Sequence, residues 1–260
     1  ASGLGMLYAD GVVVFAANLG TFTPQTTYNL LLGLRPEGSS YPAIYRGLMD
    51  EVSIYNRALA TNEIQAIYTA GSAGKCTTPV APNCAPVVSG LVNWWMAEGS
   101  AGDSVGNLPG GIYGGTSFAQ GKVGQAFSFD GAHDCVTNAM FGLTNILDSY
   151  TMELWAWPTA GRASTSENTS GIYGDGNQRY AIFPYPGPTA GIVGSGISVG
   201  TNGVSVFEAG NAYMPALLVF DAPIVGWTHI AVVYSNRCPS LYLNGVLVRS
   251  GLTSVNPSCP

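Results

Sequence analysis

Charged residues are scarce in this sequence, and that scarcity excludes several classes of protein. Asp, Glu, Lys and Arg make up only 9% of the 260 residues, whereas an ordinary soluble domain has about 25%. A bundle of helices needs many such residues on its outer faces, so the composition excludes it. Lys and Arg number only 9 and the net charge is −6. We therefore expect neither a nucleic-acid partner nor attraction to an anionic membrane.

Long apolar runs are missing as well. No stretch approaches the roughly 18 residues that a membrane-spanning helix requires, so we expect no membrane insertion. The first residues, ASGL, lack the features of a signal peptide, which indicates a mature chain or an excerpt. The chain has instead 35 Gly and 16 Pro within a sequence that is 47% hydrophobic. This mixture is typical of short strands joined by turns, and it predicts an all-β protein.

The five cysteines do not have the spacing of a zinc site. Cys76 and Cys84 flank a Thr/Pro-rich stretch, and Cys238 and Cys259 bracket a predicted hairpin. Each pair is a candidate local disulfide, which indicates an oxidising, extracellular compartment. Cys135 is left unpaired. It is either a small buried apolar residue or the site of an intermolecular link.

A Pro/Thr-rich linker at 76–89, CTTPVAPNCAPVVS, divides the chain. One short helix is predicted near 61–69, where Ile64 and Ile67 share a face and Gly71 can end it. Strands are predicted from alternating or continuous apolar residues at 48–55, 90–96, 124–130, 151–157, 227–234 and 241–248.

Several motifs resemble the laminin-G-like modules of bacterial tandem-module extracellular proteins, which have a concanavalin A-like jelly-roll fold. GLMDEVSIYNRAL at 47–59, followed by Glu63, is similar to the end of such a module. The start and middle of a module are similar to GLVNWW (90–95), GKVGQAFSFDG (121–131), TMELWAWP (151–158) and WTHIAVVY (227–234). The resemblance covers nearly the whole chain and implies a secreted or cell-surface β-sandwich. Ala60 departs from the family, in which a serine usually caps the helix.

The order of these motifs is unusual, because the end of one module precedes the start of another. Residues 1–75 form a C-terminal part, 76–89 a linker, and 90–260 an N-terminal and middle part. In the family the strand at 47–55 and the strand at 90–96 are neighbours in one sheet. Residues 90–260 alone therefore leave an unpaired strand edge. The residues expected to close this edge are Met49, Val52, Ile54, Leu91, Val92 and Trp94.

Three arrangements can supply the missing strand. Residues 1–75 can fold back within one chain as a circular permutant, or complete another copy head to tail by strand donation. The sequence can also be a window from a longer tandem array. LYADGVVV at 7–14 is repeated as LYLNGVLV at 241–248, which favours tandem modules. We favour completion between copies or within an array, so other copies of the chain are the expected partner.

The resemblance also implies a Ca²⁺ ion at the rim of the sandwich, and no other cofactor. Calcium requires several oxygen ligands. The candidates are Asp50, Asp103, Asn107, Asp130 and Asp134. Asp50 and Asp103 are the better pair, because their strands are expected to be adjacent. The alternative is that Asp130 starts a turn and Asp103 caps a loop.

Carbohydrate binding requires exposed rings that stack on sugar faces, with amides or carboxylates nearby. The candidate contacts lie in two regions and are Tyr173, Asp175, Tyr180, Tyr185, Phe207 and Tyr213. The alternative is that these rings pack between the sheets. An extracellular glycan is therefore a second expected partner.

Catalysis is not expected, since hydrolysis of a glycoside needs two carboxylates roughly 5–10 Å apart. Asp50 and Glu51 should point to opposite faces of a strand, and Glu153 has no acidic neighbour two residues away. His229 is expected to be a hydrogen-bonded structural residue. The sequence thus predicts a non-catalytic structural or adhesive module, a repeat or fibre subunit completed between copies. A calcium-assisted carbohydrate-binding module is the alternative, and a glycoside hydrolase is the remote one.

Overall fold

The structure is a computed structural model that describes residues 30–34, 44–76, 84–106, 108–138, 146–174, 176–184 and 191–260, with the backbone alone of 4–9 and 12–18. One α-helix, α1 (Thr61–Ala70), and one turn of 3₁₀-helix, Gly71–Ala73, accompany eighteen strands in this part of the chain. The strands are β1 (Leu4–Ala9), β2 (Val12–Asn18), β3 (Leu31–Leu32), β4 (Arg46–Tyr55), β5 (Leu91–Trp95), β6 (Gly110–Tyr113), β7 (Ser117–Gln120), β8 (Gln125–Asp130), β9 (Cys135–Asn138), β10 (Tyr150–Pro158), β11 (Tyr180–Phe183), β12 (Val193–Gly200), β13 (Gly203–Ala209), β14 (Ala216–Asp221), β15 (Thr228–Ser235), β16 (Cys238–Leu243), β17 (Val246–Ser250) and β18 (Ser258–Cys259).

Two eight-stranded sheets pack face to face as a β-sandwich. The first sheet has the order β17-β16-β15-β10-β4-β8-β7, with β5 also paired to β4. The second has the order β14-β13-β12-β11-β3-β9-β6, with the short β18 parallel to β12. All other pairings are antiparallel, and β1 and β2 form a separate hairpin. The all-β prediction is confirmed.

Strand β4 closes the first sheet within the same chain. One edge of β4 pairs with β10 along most of its length. The other edge pairs first with β8 and then with β5, where Val52 lies opposite Trp95 and Tyr55 opposite Leu91. The edge that 90–260 would leave open is therefore filled in cis. Residues 44–76 reach this edge directly within one chain, whereas completion between copies or within an array stays a prediction.

A β-bulge in β4 changes the faces that its side chains occupy. Strict alternation predicts that Met49 lies on the same face as Glu51 and opposite to Val52. The pairing with β10 shifts register here, and Glu51 has a φ of 56°. The extra residue places both Met49 and Val52 in the core between the sheets. Met49, Val52 and Ile54 are completely buried there, so they stabilise one closed sandwich.

The core is filled by alternate residues of both sheets. From β10 the inward side chains are Met152, Leu154 and Ala156, which leaves 151, 153, 155 and 157 on the outer face. The second sheet contributes apolar side chains of β12 and β13, among them Ile197 and Val206. Because β10 is central in its sheet, its outer face also needs a cover.

Helix α1 supplies part of that cover. Ile64 and Ile67 pack on Tyr55, Ala231 and Val233 of the outer face. At the start of the helix, the Ala60 N–H donates to the Glu63 carboxylate at 2.8 Å, which supplies half of a capping box. Thr61 does not act as the cap, since its hydroxyl lies 3.2 Å from that of Tyr242. The helix ends at Gly71 as predicted, and the Gly71 N–H donates to the carbonyl of Tyr68.

The predicted cysteine pairs have different outcomes. Cys76 and Cys84 form a disulfide, as predicted. Cys238 and Cys259 do not, and both are free thiols. They are close in sequence but Cys238 begins β16 of the first sheet, whereas Cys259 lies in β18 beside the second sheet. Cys135 is free and buried, in agreement with its interpretation as a small apolar residue.

Candidate functional site

A cluster of charged side chains is buried on the outer face of the first sheet. The Lys75 ammonium lies 3.0 Å from Glu51 Oε2 and 3.1 Å from Glu153 Oε1. Glu153 Oε2 is in turn 3.0 Å from His229 Nε2. All four residues are at most 5% exposed. In a chain with so few charged residues, this concentration is the strongest candidate for a functional site, and we call it the Lys75 cluster.

Two aromatic residues complete the Lys75 cluster. The Tyr55 hydroxyl donates to Glu153 Oε1 at 2.9 Å, and the Trp94 indole N–H donates to Glu51 Oε2 at 3.1 Å. The Lys75 ammonium also lies 5.0 Å from the centre of the Trp94 ring, a cation–π distance. Two polar atoms of the cluster, Glu51 Oε1 and His229 Nδ1, have no hydrogen-bond partner among the residues that the structure describes. The site is thus buried and tightly connected, and its hydrogen bonding is incomplete.

Four separate parts of the chain build the Lys75 cluster. The bulge in β4 turns Glu51 out of the core. Glu153 is an outer residue of β10 and lies opposite Ser53, while His229 of β15 lies opposite Trp155. Lys75 follows α1 in the chain and lies over the outer face of the sheet. Its backbone forms a parallel bridge with Ala85, next to the Cys76–Cys84 disulfide. The disulfide and α1 therefore act together as a cover.

The electrostatics of the cluster are those of buried ion pairs. Burial opposes ionisation of Glu153, but Lys75 and His229 outweigh it and lower the pKa of Glu153 to about 2. Burial likewise opposes a charge on Lys75, but the two glutamates raise the pKa of Lys75 above its usual value. The pKa of the Tyr55 hydroxyl is raised, first by burial and then by Glu153. Glu153 is therefore held as a carboxylate and Lys75 as an ammonium ion.

Sequence reasoning missed this cluster. Glu153 was expected to lack an acidic partner, and it has none along its own strand. Its neighbour Glu51 comes from β4, about a hundred positions earlier, and Lys75 is the last residue of the predicted 1–75 part, to which no role was given. His229 does have the structural, hydrogen-bonded role that was expected. The available signal was a glutamate within each of two strongly apolar strands, where an unpaired charge is not tolerated.

The carboxylates of the described calcium candidates accept hydrogen bonds from backbone N–H groups. Asp103 accepts five hydrogen bonds, from the Asn93 side chain and from the N–H groups of residues 94, 105, 106 and 108. Burial raises the pKa of Asp103, but these donors more than offset it, so that the pKa is lowered. A carboxylate whose oxygens already accept N–H groups does not fit a calcium ion. Asp103 therefore caps its loop, which was the alternative interpretation.

The carboxylates of Asp50, Asp130 and Asp134 also accept hydrogen bonds from backbone N–H groups. Asp134 accepts from the N–H groups of Gly115 and Asp130 at 2.5 and 2.8 Å, and Asp130 accepts from Ala132 in a turn. Asp50 accepts from the Val123 N–H, and its Oδ1 has no partner. Asn107 lies outside the described residues. Within the described part of the chain, no group of three or more His, Cys, Asp or Glu side chains is arranged to hold a metal.

The residues predicted to contact a sugar differ in how deeply they are buried. Tyr180 and Phe207 are fully buried and stack edge to face in a small core outside the second sheet. Tyr213 is half-buried, with its hydroxyl 3.3 Å from Glu208. Only Tyr173 is well exposed, at 50%. Asp175 and Tyr185 lie outside the described residues. The prediction of an aromatic platform is therefore wrong for Tyr180 and Phe207, whose strands face the interior.

A different pair of rings is exposed. Trp157 and Trp227 pack edge to face on the outer side of the first sheet, with ring centroids 6.0 Å apart. Trp157 is 43% exposed and Trp227 is half-buried. They continue the register in which Ala156 lies opposite Thr228. Both tryptophans are visible in the motifs WAWP and GWTHI. Their contact could not be predicted, because the sequence does not show that the two strands are neighbours.

A second buried carboxylate lies far from the Lys75 cluster. Glu208 of β13 accepts a hydrogen bond from Ser254 at 2.6 Å and one from Tyr213. Its Oε1 has no partner, and no cation is within ion-pairing distance in the described part of the molecule. Burial raises the pKa of Glu208 to about 7. This residue is therefore a source of pH-dependent stability rather than of binding.

Comparison with known proteins leaves the family open. No protein-family model, no curated protein and no solved structure matches the chain. The fold and site define a disulfide-containing β-sandwich with a buried ionic cluster. Among the described residues, no helix is both long and apolar enough to cross a membrane. The similarity to laminin-G-like modules stays a prediction from sequence motifs.

Proposed function

We propose that this protein is a non-catalytic extracellular module with a structural or adhesive role, built on a laminin-G-like jelly roll. The observation that carries the proposal is the state of Glu51 and Glu153, both buried and both bound to Lys75. A glycosidase needs a carboxylic acid and a carboxylate that face a substrate. Here Glu51 and Glu153 are buried and share one lysine as their cation, which supports binding or scaffolding rather than hydrolysis.

The extracellular location is part of this proposal. The Cys76–Cys84 disulfide supports it, because such bonds persist in oxidising compartments. The cis pairing of β4 supports a module that is complete by itself. Assembly into a fibre by strand complementation would require β4 to leave its position between β10 and β5. We therefore place the structural role in the closed module.

A carbohydrate-binding role is the second candidate, and the exposed Trp157–Trp227 pair favours it. An exposed indole offers a flat apolar surface on which a sugar face can stack. This candidate does not depend on calcium from Asp103, Asp130 or Asp134, since their carboxylates are engaged by N–H groups.

Sedimentation with insoluble polysaccharides tests both candidates. The purified chain is mixed with cellulose, chitin, xylan or peptidoglycan, with Ca²⁺ or with a chelator, and released reducing ends are measured in parallel. Binding without release supports an adhesive role, and binding only with Ca²⁺ would restore the calcium hypothesis. Release of reducing ends would overturn the non-catalytic proposal. Absence of binding from all of these would overturn the carbohydrate candidate.

Variants locate the binding surface. Trp157→Ala should reduce binding at least tenfold if the pair is the platform, whereas Tyr113→Ala, at another exposed ring, should not. Tyr173→Ala tests the remaining exposed residue of the original prediction. Loss of binding in Tyr173→Ala but not in Trp157→Ala would move the site to the 173–180 region.

A further inference from the structure

We propose that Lys75 and Glu51 condense to form an intramolecular amide bond, with Glu153 as the group that transfers the protons. The Lys75 nitrogen lies 3.0 Å from Oε2 of Glu51, an oxygen of the carboxyl group that it would attack. Both side chains are about 3% exposed and held by fixed partners. Reacting groups that are held in contact reach effective concentrations of about 10⁵ M or more, which makes a slow condensation feasible.

The surroundings give the two glutamates different roles. Glu153 is fixed by Tyr55 and His229 and lies 3.1 Å from Lys75 Nζ, so it can relay a proton from Lys75 to the Glu51 carboxyl. The nitrogen attacks from this neutral form, an amine beside a carboxylic acid, because an ammonium nitrogen has no free electron pair. Glu51 has one oxygen that accepts the Trp94 indole N–H and another that has no partner among the described residues. The indole N–H can stabilise negative charge that develops on Glu51 when nitrogen attacks its carbon. Glu51 is therefore the acyl donor and Glu153 the positioning base.

The step balances without an oxidant, a reductant or a co-reactant. The Lys75 nitrogen forms a bond to Glu51 Cδ, and one carbon–oxygen bond of Glu51 breaks. Of the three protons on the ammonium group, one remains on the amide nitrogen. Two leave on the departing oxygen as water, passed on by Glu153, which ends as the carboxylate it was at the start.

The energetic gain comes from the removal of buried charge. An ammonium and a carboxylate that are both out of water carry a large desolvation cost, and their mutual attraction only partly offsets it. A neutral amide removes both charges, and its N–H can donate to Glu153. The bond would tie Lys75, at the end of the helical cover, to β4 at the centre of the first sheet. It would hold the cover in place independently of the disulfide.

Intact-mass measurement of the denatured chain tests the proposal. The wild type should be lighter than its sequence by one water, beyond the two hydrogens lost in the disulfide. Lys75→Arg keeps the positive charge but should show the full mass. Glu51→Gln should lose ammonia instead of water and reach the mass of the cross-linked wild type. Fragmentation should identify a branched peptide that joins residues 51 and 75.

Controls separate the chemistry from folding. Glu153→Gln should fold but remain at full mass, and Lys122→Arg, at another lysine over a tryptophan ring, should retain the cross-link. Circular dichroism establishes that each variant is folded. A folded wild type at full mass after prolonged incubation at several pH values would overturn the proposal. So would a water loss that persists in Lys75→Arg. Neither result depends on polysaccharide binding.

Discussion

Glu208 should make the protein less stable as pH rises from mildly acidic to neutral. Burial raises the pKa of Glu208 from 4.5 to about 7 in the folded chain. Between these two values the folded state keeps its proton while the unfolded state loses it. The unfolded state therefore binds fewer protons, and the free energy of unfolding falls as pH increases. The contribution is complete below pH 4.5 and is lost above about pH 7.

The size of this effect follows from the shift. Each pKa unit corresponds to about 1.4 kcal/mol, so Glu208 should lower the free energy of unfolding by about 3 kcal/mol across this range. Burial also raises the pKa of Asp50 to about 7. Asp50 should therefore lower the free energy of unfolding over the same pH range. The contribution of Glu208 is thus best obtained as a difference between two proteins that share all other groups.

Urea unfolding of the wild type and of Glu208→Gln, at intervals between pH 5 and 8, measures that difference. Gln can still accept from Ser254 and Tyr213 but does not ionise. The variant should become more stable relative to the wild type as pH rises, by about 2–3 kcal/mol over the series. Curves that fall in parallel would refute the reasoning, because they would show that Glu208 ionises without cost when folded. Glu167→Gln, at a glutamate paired with Arg249 near the surface, is the control.

Three further predictions concern stability. Ile54→Ala should lower the free energy of unfolding by about 3–4 kcal/mol in urea, while Val225→Ala, at an exposed side chain, should change it by no more than about 0.5 kcal/mol; equal effects would contradict the placement of β4 in the core. The double variant Cys76→Ala/Cys84→Ala should lose about 2–3 kcal/mol by the entropy of a loop of this length, and an unchanged midpoint would argue against the bond. Asp103→Ala should lower the free energy of unfolding by about 3 kcal/mol, since five donors lose their acceptor. Added Ca²⁺ should not stabilise the wild type. A urea midpoint that rises with Ca²⁺ in the wild type but not in Asp103→Ala would restore Asp103 as a calcium ligand.

Local patterns were sufficient to predict α1 and most strands of the first sheet. The alternation in 151–157 and 227–234 predicted β10 and β15, and the spacing of Ile64 and Ile67 with Gly71 predicted α1. These features depend on neighbours within a few positions along the chain. The sequence could not predict the bulge at Glu51, because a glutamate with a positive φ is disfavoured locally and is held there by its tertiary contacts.

The candidate site depends on contacts that no local pattern contains. Glu51, Lys75 and Glu153 are brought together only by the pairing of β4 with β10 and by the path of the chain around the disulfide. For Tyr180 and Phe207 the sequence predicted exposed rings that bind a sugar, and the structure buries both. Tyr180 follows a polar stretch and Phe207 precedes Glu208, yet both rings lie in a small core, and burial rather than composition decides what a ring can bind.

The position of β4 in the chain has a consequence for biosynthesis. A central strand is made by the ribosome before any of the strands that flank it, and β10 follows about a hundred residues later. Until β5, β8 and then β10 have been made, Met49, Val52 and Ile54 lack the strands that pair with β4, and such a segment is prone to aggregate. Translation speed and holding chaperones should therefore influence the yield of this protein more than its final stability does.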